Sequence, residues 1–122
     1  MIVGYLDKLY RLDIDDYYLA AFPKRLAGIE YNKLIGLRDD VRYFNSGVML
    51  LNLNKIRQDN IFNEVIEILL KESLFKGNDQ SALNSYLNGN FFKINYIYNY
   101  TGQFYDRELT PCILHFTGPY KP

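Results

Sequence analysis

Apolar positions along this chain fall into short dense runs interrupted by one long periodic segment. "YYLAAF" (Tyr17–Phe22) and "GVMLLNL" (Gly47–Leu53) are nearly continuous apolar runs, the pattern of strands covered on both faces. Strands of that kind call for a sheet with helices on each side. After Asp59, the positions Ile61, Phe62, Val65, Ile66, Leu69 and Leu70 recur at helical spacing, which predicts an amphipathic helix, with Lys76-Gly77 as its stop signal. A shorter helix is predicted over Ser81–Leu87, with Ala82, Leu83, Tyr86 and Leu87 on one face and Asn88-Gly89 closing it. "FFKI" (Phe91–Ile94) and "CILHF" (Cys112–Phe116) read as two further strands, and the Tyr- and Asn-rich stretch from Tyr96 to Thr110 reads as loop. The order of elements predicts an α/β fold of short buried strands with flanking helices.

Composition narrows the class. In 122 residues, 48% apolar and 16% aromatic, there is surface enough to bury against the entropy of ordering, so a disordered chain is excluded. Fourteen basic residues balance fourteen acidic ones, and no cationic run follows a phosphate backbone, which excludes nucleic acid as a partner. The single cysteine, Cys112, lies in an apolar run and reads as a small core residue in a reducing compartment. No apolar stretch approaches the roughly 20 residues of a membrane span, and "MIVGYLDKLY" has no charged n-region of a signal peptide. These features predict a cytoplasmic protein without a transmembrane segment. Four short strands offer few neighbours for their apolar faces, and the chain opens almost at once in Ile2 and Val3. It reads as half of a domain, and uncovered sheet surface predicts a homo-oligomer or dependence on a missing half.

Three polar features stand out, each with an ordinary and a functional reading. In "YFNSGVMLLNL", Asn45, Ser46 and Gly47 directly precede a buried strand. They read as a common turn, or as a place where a small Gly47 admits a ligand beside an amide that donates and accepts. In "GNDQSALN", Asp79 and Gln80 open a helix; Asp79 reads as its N-cap, or the pair reads as a grip on sugar hydroxyls. His115, the only histidine, sits in "HFTGPYKP". It reads as a core residue satisfied by one hydrogen bond, or as a metal ligand beside Gly118 and Lys121, whose backbone and compact charge suit a diphosphate.

Taken in order, "YFNSGVMLLNL", "NDQSALN" and "HFTGPYKP" resemble the successive signature blocks of the retaining glycosyltransferases of family 8, a group that includes bacterial lipopolysaccharide galactosyl- and glucosyltransferases and is related to glycogenin. "GYLDKLYRLDIDDYYLAA" resembles the segment leading into those blocks. The resemblance implies a GT-A fold, a UDP-sugar donor, a saccharide acceptor and a divalent ion, Mn²⁺ or Mg²⁺. It implies that His115 ligates the metal and that Gly118 and Lys121 contact the donor diphosphate. It further implies that Asn45, Ser46 and Gly47 lie at the donor sugar and acceptor side. Asp79 would hold the transferred hexose, with Gln80 near its anomeric carbon as the catalytic pair.

The family pattern also contains an Asp-X-Asp motif directly before the segment that "MIVGYLDKLY" resembles, and this chain opens past that point. Asp13, Asp15 and Asp16 in "LDIDD" imitate the motif but read as a solvated turn. One imidazole cannot hold an ion that takes about six ligands. The expectation is therefore that residues 1–122 form the C-terminal part of a single GT-A catalytic domain. The parent enzyme would move a hexose from a UDP-sugar in lipopolysaccharide or capsule glycan synthesis, at the inner face of the cell membrane or free in the cytoplasm, and the separate chain would be inactive. A non-catalytic sugar- or nucleotide-binding module and a structural remnant are the alternatives.

Overall fold

The computed structural model describes residues 1–24, 32–33, 35–38, 40–71, 79–102 and 108–117. Among them, the elements in chain order are α1 (Asp7–Tyr10), β1 (Leu19–Pro23), β2 (Phe44–Leu51), α2 (Leu53–Gln58), α3 (Ile61–Lys71), α4 (Asp79–Leu87), β3 (Phe92–Lys93) and a 3₁₀ turn over Tyr96–Tyr98. The strands form a sheet in the order β2-β1-β3, with β2 antiparallel and β3 parallel to β1.

The central strand is covered on both faces, as its unbroken apolar run predicts. Leu19 and Ala21 point into a core with Phe44, Val65, Ala82, Leu83, Leu87 and Phe91, which docks α3 and α4 on one face of the sheet. Ala20 points the other way, into a second core with Leu9, Ile14, Ile94 and Tyr98, because successive strand side chains alternate in direction. Phe44 and Phe91 pack with ring centroids 4.9 Å apart in the first core. Cys112 packs against the second, as expected of a small apolar residue.

Four expectations change on contact with the fold. The strand read over Gly47–Leu53 begins earlier and stops at Leu51. Asn52 ends it: its side chain accepts from the Lys55 N–H at 3.1 Å and donates to the Ile14 carbonyl at 3.3 Å, so Leu53 opens α2 instead of extending the sheet. Secondly, the apolar stripe of α3 divides. Ile61 and Val65 are buried, whereas Phe62, Ile66 and Leu70 lie 45, 50 and 79% exposed. Thirdly, Cys112–Phe116 forms isolated bridges and no strand, with Ile113 opposite Ile2 and Leu114 beside Tyr100. Its hydrogen bonds go to chain segments too short to make a ladder: Val3 and Gly4 both donate to the Cys112 carbonyl, and Leu114 donates to Met1. Lastly, the stretch read as loop from Tyr96 contains the 3₁₀ turn, started by Asn95, whose side chain accepts from the Ile97 N–H at 3.0 Å.

Helix α4 behaves as predicted at its exit, where Asn88 and Gly89 take positive φ angles of 43° and 89°. The Lys76-Gly77 stop lies outside the described residues. Asp13, Asp15 and Asp16 are exposed, with the Asp15 N–H donating to Asp13 Oδ1 at 3.2 Å, the solvated turn expected of them. Among the described residues no helix is long and apolar enough to cross a membrane.

Candidate functional site

The site is built around an irregularity in the β1–β2 ladder. Ala21 stands opposite Met49, but its neighbour Phe22 stands opposite Asn45. Ser46, Gly47 and Val48 therefore bulge from β2 without partners on β1. A bulge re-aims side chains that a regular strand would alternate between its two faces. Asn45, Ser46 and Gly47 thus lie within β2, not in a turn before it.

Two segments far along the chain close on this bulge. From α4, Gln80 Oε1 accepts from the Ser46 N–H at 2.9 Å and lies 3.4 Å from Ser46 Oγ, while its Nε2 donates to the Tyr43 hydroxyl at 3.0 Å. Both ends of the Gln80 amide are thereby held. The Tyr43 hydroxyl also bonds the buried Ser81 Oγ at 3.1 Å. One turn further on, Asn84 is buried, accepts from the Phe44 N–H at 2.8 Å and donates to the Phe44 carbonyl at 3.0 Å and to the Gln80 carbonyl at 2.8 Å. It ties helix and strand together through one amide.

From the C-terminal segment, the His115 ring lies over Gly47. A Cβ built on residue 47 would fall 1.9 Å from His115 Cε1 and 2.4 Å from its Nε2, so only glycine fits beneath the imidazole. His115 Nδ1 is 2.7 Å from Asn99 Oδ1, and Asn99 Nδ2 donates to Asn45 Oδ1 at 2.9 Å. Asn45 Oδ1 also accepts from the Gly47 N–H at 3.0 Å. The backbone agrees with the side chains, since His115 donates its N–H to the Tyr100 carbonyl at 2.8 Å, one residue from Asn99.

The structure thus brings together Asn45, Ser46, Gly47, Gln80 and His115 from three separated sequence blocks. Asp79 is exposed and is the first described residue of α4, a position where a carboxylate suits the helix dipole. Gly118 and Lys121 lie outside the described residues. Sequence reasoning missed Tyr43, Asn84 and Asn99. Asn99 is fully buried between Asn45 and His115, yet it stands in a Tyr- and Asn-rich stretch with no period to mark it. The residues described do not by themselves fit a divalent ion: among them, no group of three or more His, Cys, Asp or Glu side chains is placed to hold one, and His115 offers a single imidazole.

A family model described as glycosyl transferase family 8 matches residues 1–122. A Haemophilus influenzae protein named "Putative glycosyltransferase" is 35% identical over 131 residues, covering 95% of this chain and 39% of its own length. General stress protein A of Bacillus subtilis is 28% identical over 142 residues, covering 100% of this chain and 49% of its own. The chain thus spans about half, or less, of the curated relatives it matches. A crystal structure of the galactosyltransferase LgtC in complex with donor and acceptor sugar analogs superposes with a TM-score of 0.69 at 30% identity, over 80% of this chain and 36% of that one. An LgtC active-site mutant, glutamine to glutamate, superposes with a TM-score of 0.80 at 24% identity, over 98% and 50% of the two chains. The α/β arrangement is that of the GT-A glycosyltransferases, and the chain belongs to glycosyl transferase family 8.

Proposed function

We propose that these residues are the C-terminal part of the catalytic domain of a retaining hexosyltransferase, and that the bulge of β2 is where its UDP-sugar donor meets a saccharide acceptor. The observation that carries the reading is the hydrogen bond from the Ser46 N–H to Gln80 Oε1 at 2.9 Å, beside the packing of His115 on Gly47. Three blocks with no local reason to meet converge on one patch of polar groups. Family membership and the sugar-bound LgtC neighbour support a sugar ligand there.

In this scheme Gln80 faces the anomeric carbon of the transferred hexose. Its amide is held at one end by Ser46 and at the other by Tyr43, so little reorganisation is needed when charge develops during transfer. The exposed carboxylate of Asp79 is available to the hexose hydroxyls. Asn45, Ser46 and Gly47 line the donor sugar and acceptor side. Gly118 and Lys121 would contact the diphosphate, with the lysine countering charge on the departing UDP. The resemblance assigns His115 a place on a divalent ion. The scheme routes no step through that ion, because its remaining ligands are not among the described residues. Lipopolysaccharide or capsule glycan is the acceptor class that the family resemblance implies.

The test is a calorimetric titration with UDP of the complete catalytic domain that contains these residues, with and without Mn²⁺, repeated on His115→Ala. Metal-dependent binding that the substitution abolishes is expected. Binding that ignores the metal and survives the substitution would favour a sugar- or nucleotide-binding module without transfer. Absence of binding would overturn the reading for this chain.

A further inference from the structure

The hydrogen bonds around His115 have a direction, and it can be followed from one end. The Gly47 N–H can only donate, so the Asn45 side-chain atom facing it at 3.0 Å must be the oxygen. That oxygen also faces Asn99 at 2.9 Å, so Asn99 must turn its NH₂ group there. The carbonyl oxygen of Asn99 is then left for His115 Nδ1, 2.7 Å away. A carbonyl oxygen only accepts, so Nδ1 must carry a proton. In neutral imidazole one nitrogen donates and the other accepts, and the bond made by one decides the role of the other.

We propose that Asn99 is a positioning residue that fixes neutral His115 as the Nδ1–H tautomer, leaving Nε2 as the nitrogen with the lone pair. The relay starts at a backbone N–H, which has no alternative protonation state. Asn99 itself is fully buried, so water cannot readily substitute for the amide or let it turn. Gly47 adds a steric half to the same device, since the ring lies where its Cβ would be. The bulge of β2 therefore sets both the place of the imidazole and which of its nitrogens can accept a proton, a hydrogen bond or a ligand. A lone pair at Nε2 with Nδ1–H bound to a carbonyl is the arrangement of ligating histidines in general. The functional consequence rests on the reading of His115 as a donor-site residue; the tautomer does not.

Because His115 is the only histidine, every imidazole signal of the ¹⁵N-labelled protein belongs to it. The experiment is a long-range ¹H–¹⁵N correlation of the ring, recorded without metal or nucleotide, at a pH well above the ordinary imidazole pKa of about 6.5. The expected spectrum has a protonated Nδ1 and an unprotonated Nε2. A protonated Nε2 would overturn the proposal. Asn99→Leu should convert the single tautomer into a mixture, with the fold checked on the amide spectrum. If that variant does not fold, Asn45→Ala carries the test, because it frees the Asn99 amide to turn and should also yield a mixture. An unchanged ring spectrum in a folded variant would remove Asn99 from the role. The UDP titration can fail while this spectrum holds, and the converse, so the two readings stand or fall separately.

Discussion

The imidazole of His115 occupies the space that a Cβ on residue 47 would need, coming within 1.9 Å of it at Cε1. Gly47 and His115 are far apart along the chain, and their contact joins the bulge of β2 to the C-terminal segment. A residue that looks like a turn glycine is thus a packing requirement.

Gly47→Ala should displace the ring and destabilise the fold by about 1–3 kcal/mol, the usual cost of forcing a methyl group into filled space. Gly47 does not have a positive φ, so backbone strain is not the cause. The same substitution in a His115→Ala background should be nearly neutral. Denaturant unfolding of the four proteins gives the coupling directly; equal costs in both backgrounds would show that the ring is not what the methyl meets.

Asn84 should matter to stability more than its type suggests. It serves both the N–H and the carbonyl of Phe44, on a strand that is an edge of the described sheet. Asn84→Leu keeps the shape but leaves two buried backbone groups unpaired, at a cost of about 3 kcal/mol. Asn84→Asp retains acceptance from the Phe44 N–H but buries a carboxylate against the Phe44 and Gln80 carbonyl oxygens that the amide served, so its loss should be the larger of the two. Urea midpoints at neutral pH would order the three proteins.

Much of this fold is legible from residue pattern. The run around Leu19–Ala21 predicts a strand covered on both faces because both cores draw on it, and the periodic run after Asp59 predicts α3. Other features depend on partners that no local pattern reveals. "LLNL" is a continuous apolar run until Asn52 finds the Lys55 N–H and the Ile14 carbonyl. The exposed Phe62, Ile66 and Leu70 have the same spacing as the buried Ile61 and Val65; which residues face the core depends on where the helix docks. The bulge is a property of pairing between two strands, so Asn45, Ser46 and Gly47 read locally as a turn. For the site, the resemblance pointed to Asn45, Gln80 and His115, which do meet. Asn99, which joins Asn45 to His115, carries no motif, and Tyr43, which holds Gln80, stands first in "YFNSGVMLLNL" without a local sign of its partner.

Tyr18 and Asp59 should shape the pH dependence of stability. The Tyr18 hydroxyl donates to Asp59 Oδ2 at 2.9 Å, and Lys55 Nζ lies 3.2 Å from the same oxygen. The Tyr18 hydrogen bond first, and Lys55 second, hold the Asp59 carboxyl below its ordinary 3.8, and the same bond to Asp59 pushes the Tyr18 phenol above its ordinary 10.0. The signs follow by linkage. Asp59 contributes stability above its unfolded value, and that contribution is lost as pH falls through the lower folded value. Tyr18 contributes below its unfolded value and loses it as pH rises through the higher folded one. Tyr18→Phe should flatten both limbs and return the Asp59 carboxyl toward its ordinary value. Carboxyl ¹³C titration measures the second effect, and an unmoved Asp59 would show that Lys55 alone sets it.

Gln80 gives the prediction that separates a site from a scaffold. Its amide bridges Ser46 and Tyr43, so a purely structural role would make any substitution a stability defect first. Gln80→Glu preserves the length and the acceptor for the Ser46 N–H, and the Tyr43 hydroxyl can turn to donate where it formerly accepted. The fold should therefore tolerate it, with a change in unfolding free energy of about 1 kcal/mol or less, the net worth of one ordinary hydrogen bond. If the side chain also faces the anomeric carbon, it acts where charge develops, and losing one such preorganised group costs roughly 10²–10³-fold in turnover. Gln80→Ala, made in the complete catalytic domain with its acceptor, should then lower the rate of UDP release from UDP-galactose or UDP-glucose by at least that range, with a smaller change in KM. A substitution that weakens folding and leaves the turnover of the folded fraction intact would return Gln80 to a bridging role. The sugar contact would then have to come from Asp79 and the bulge residues.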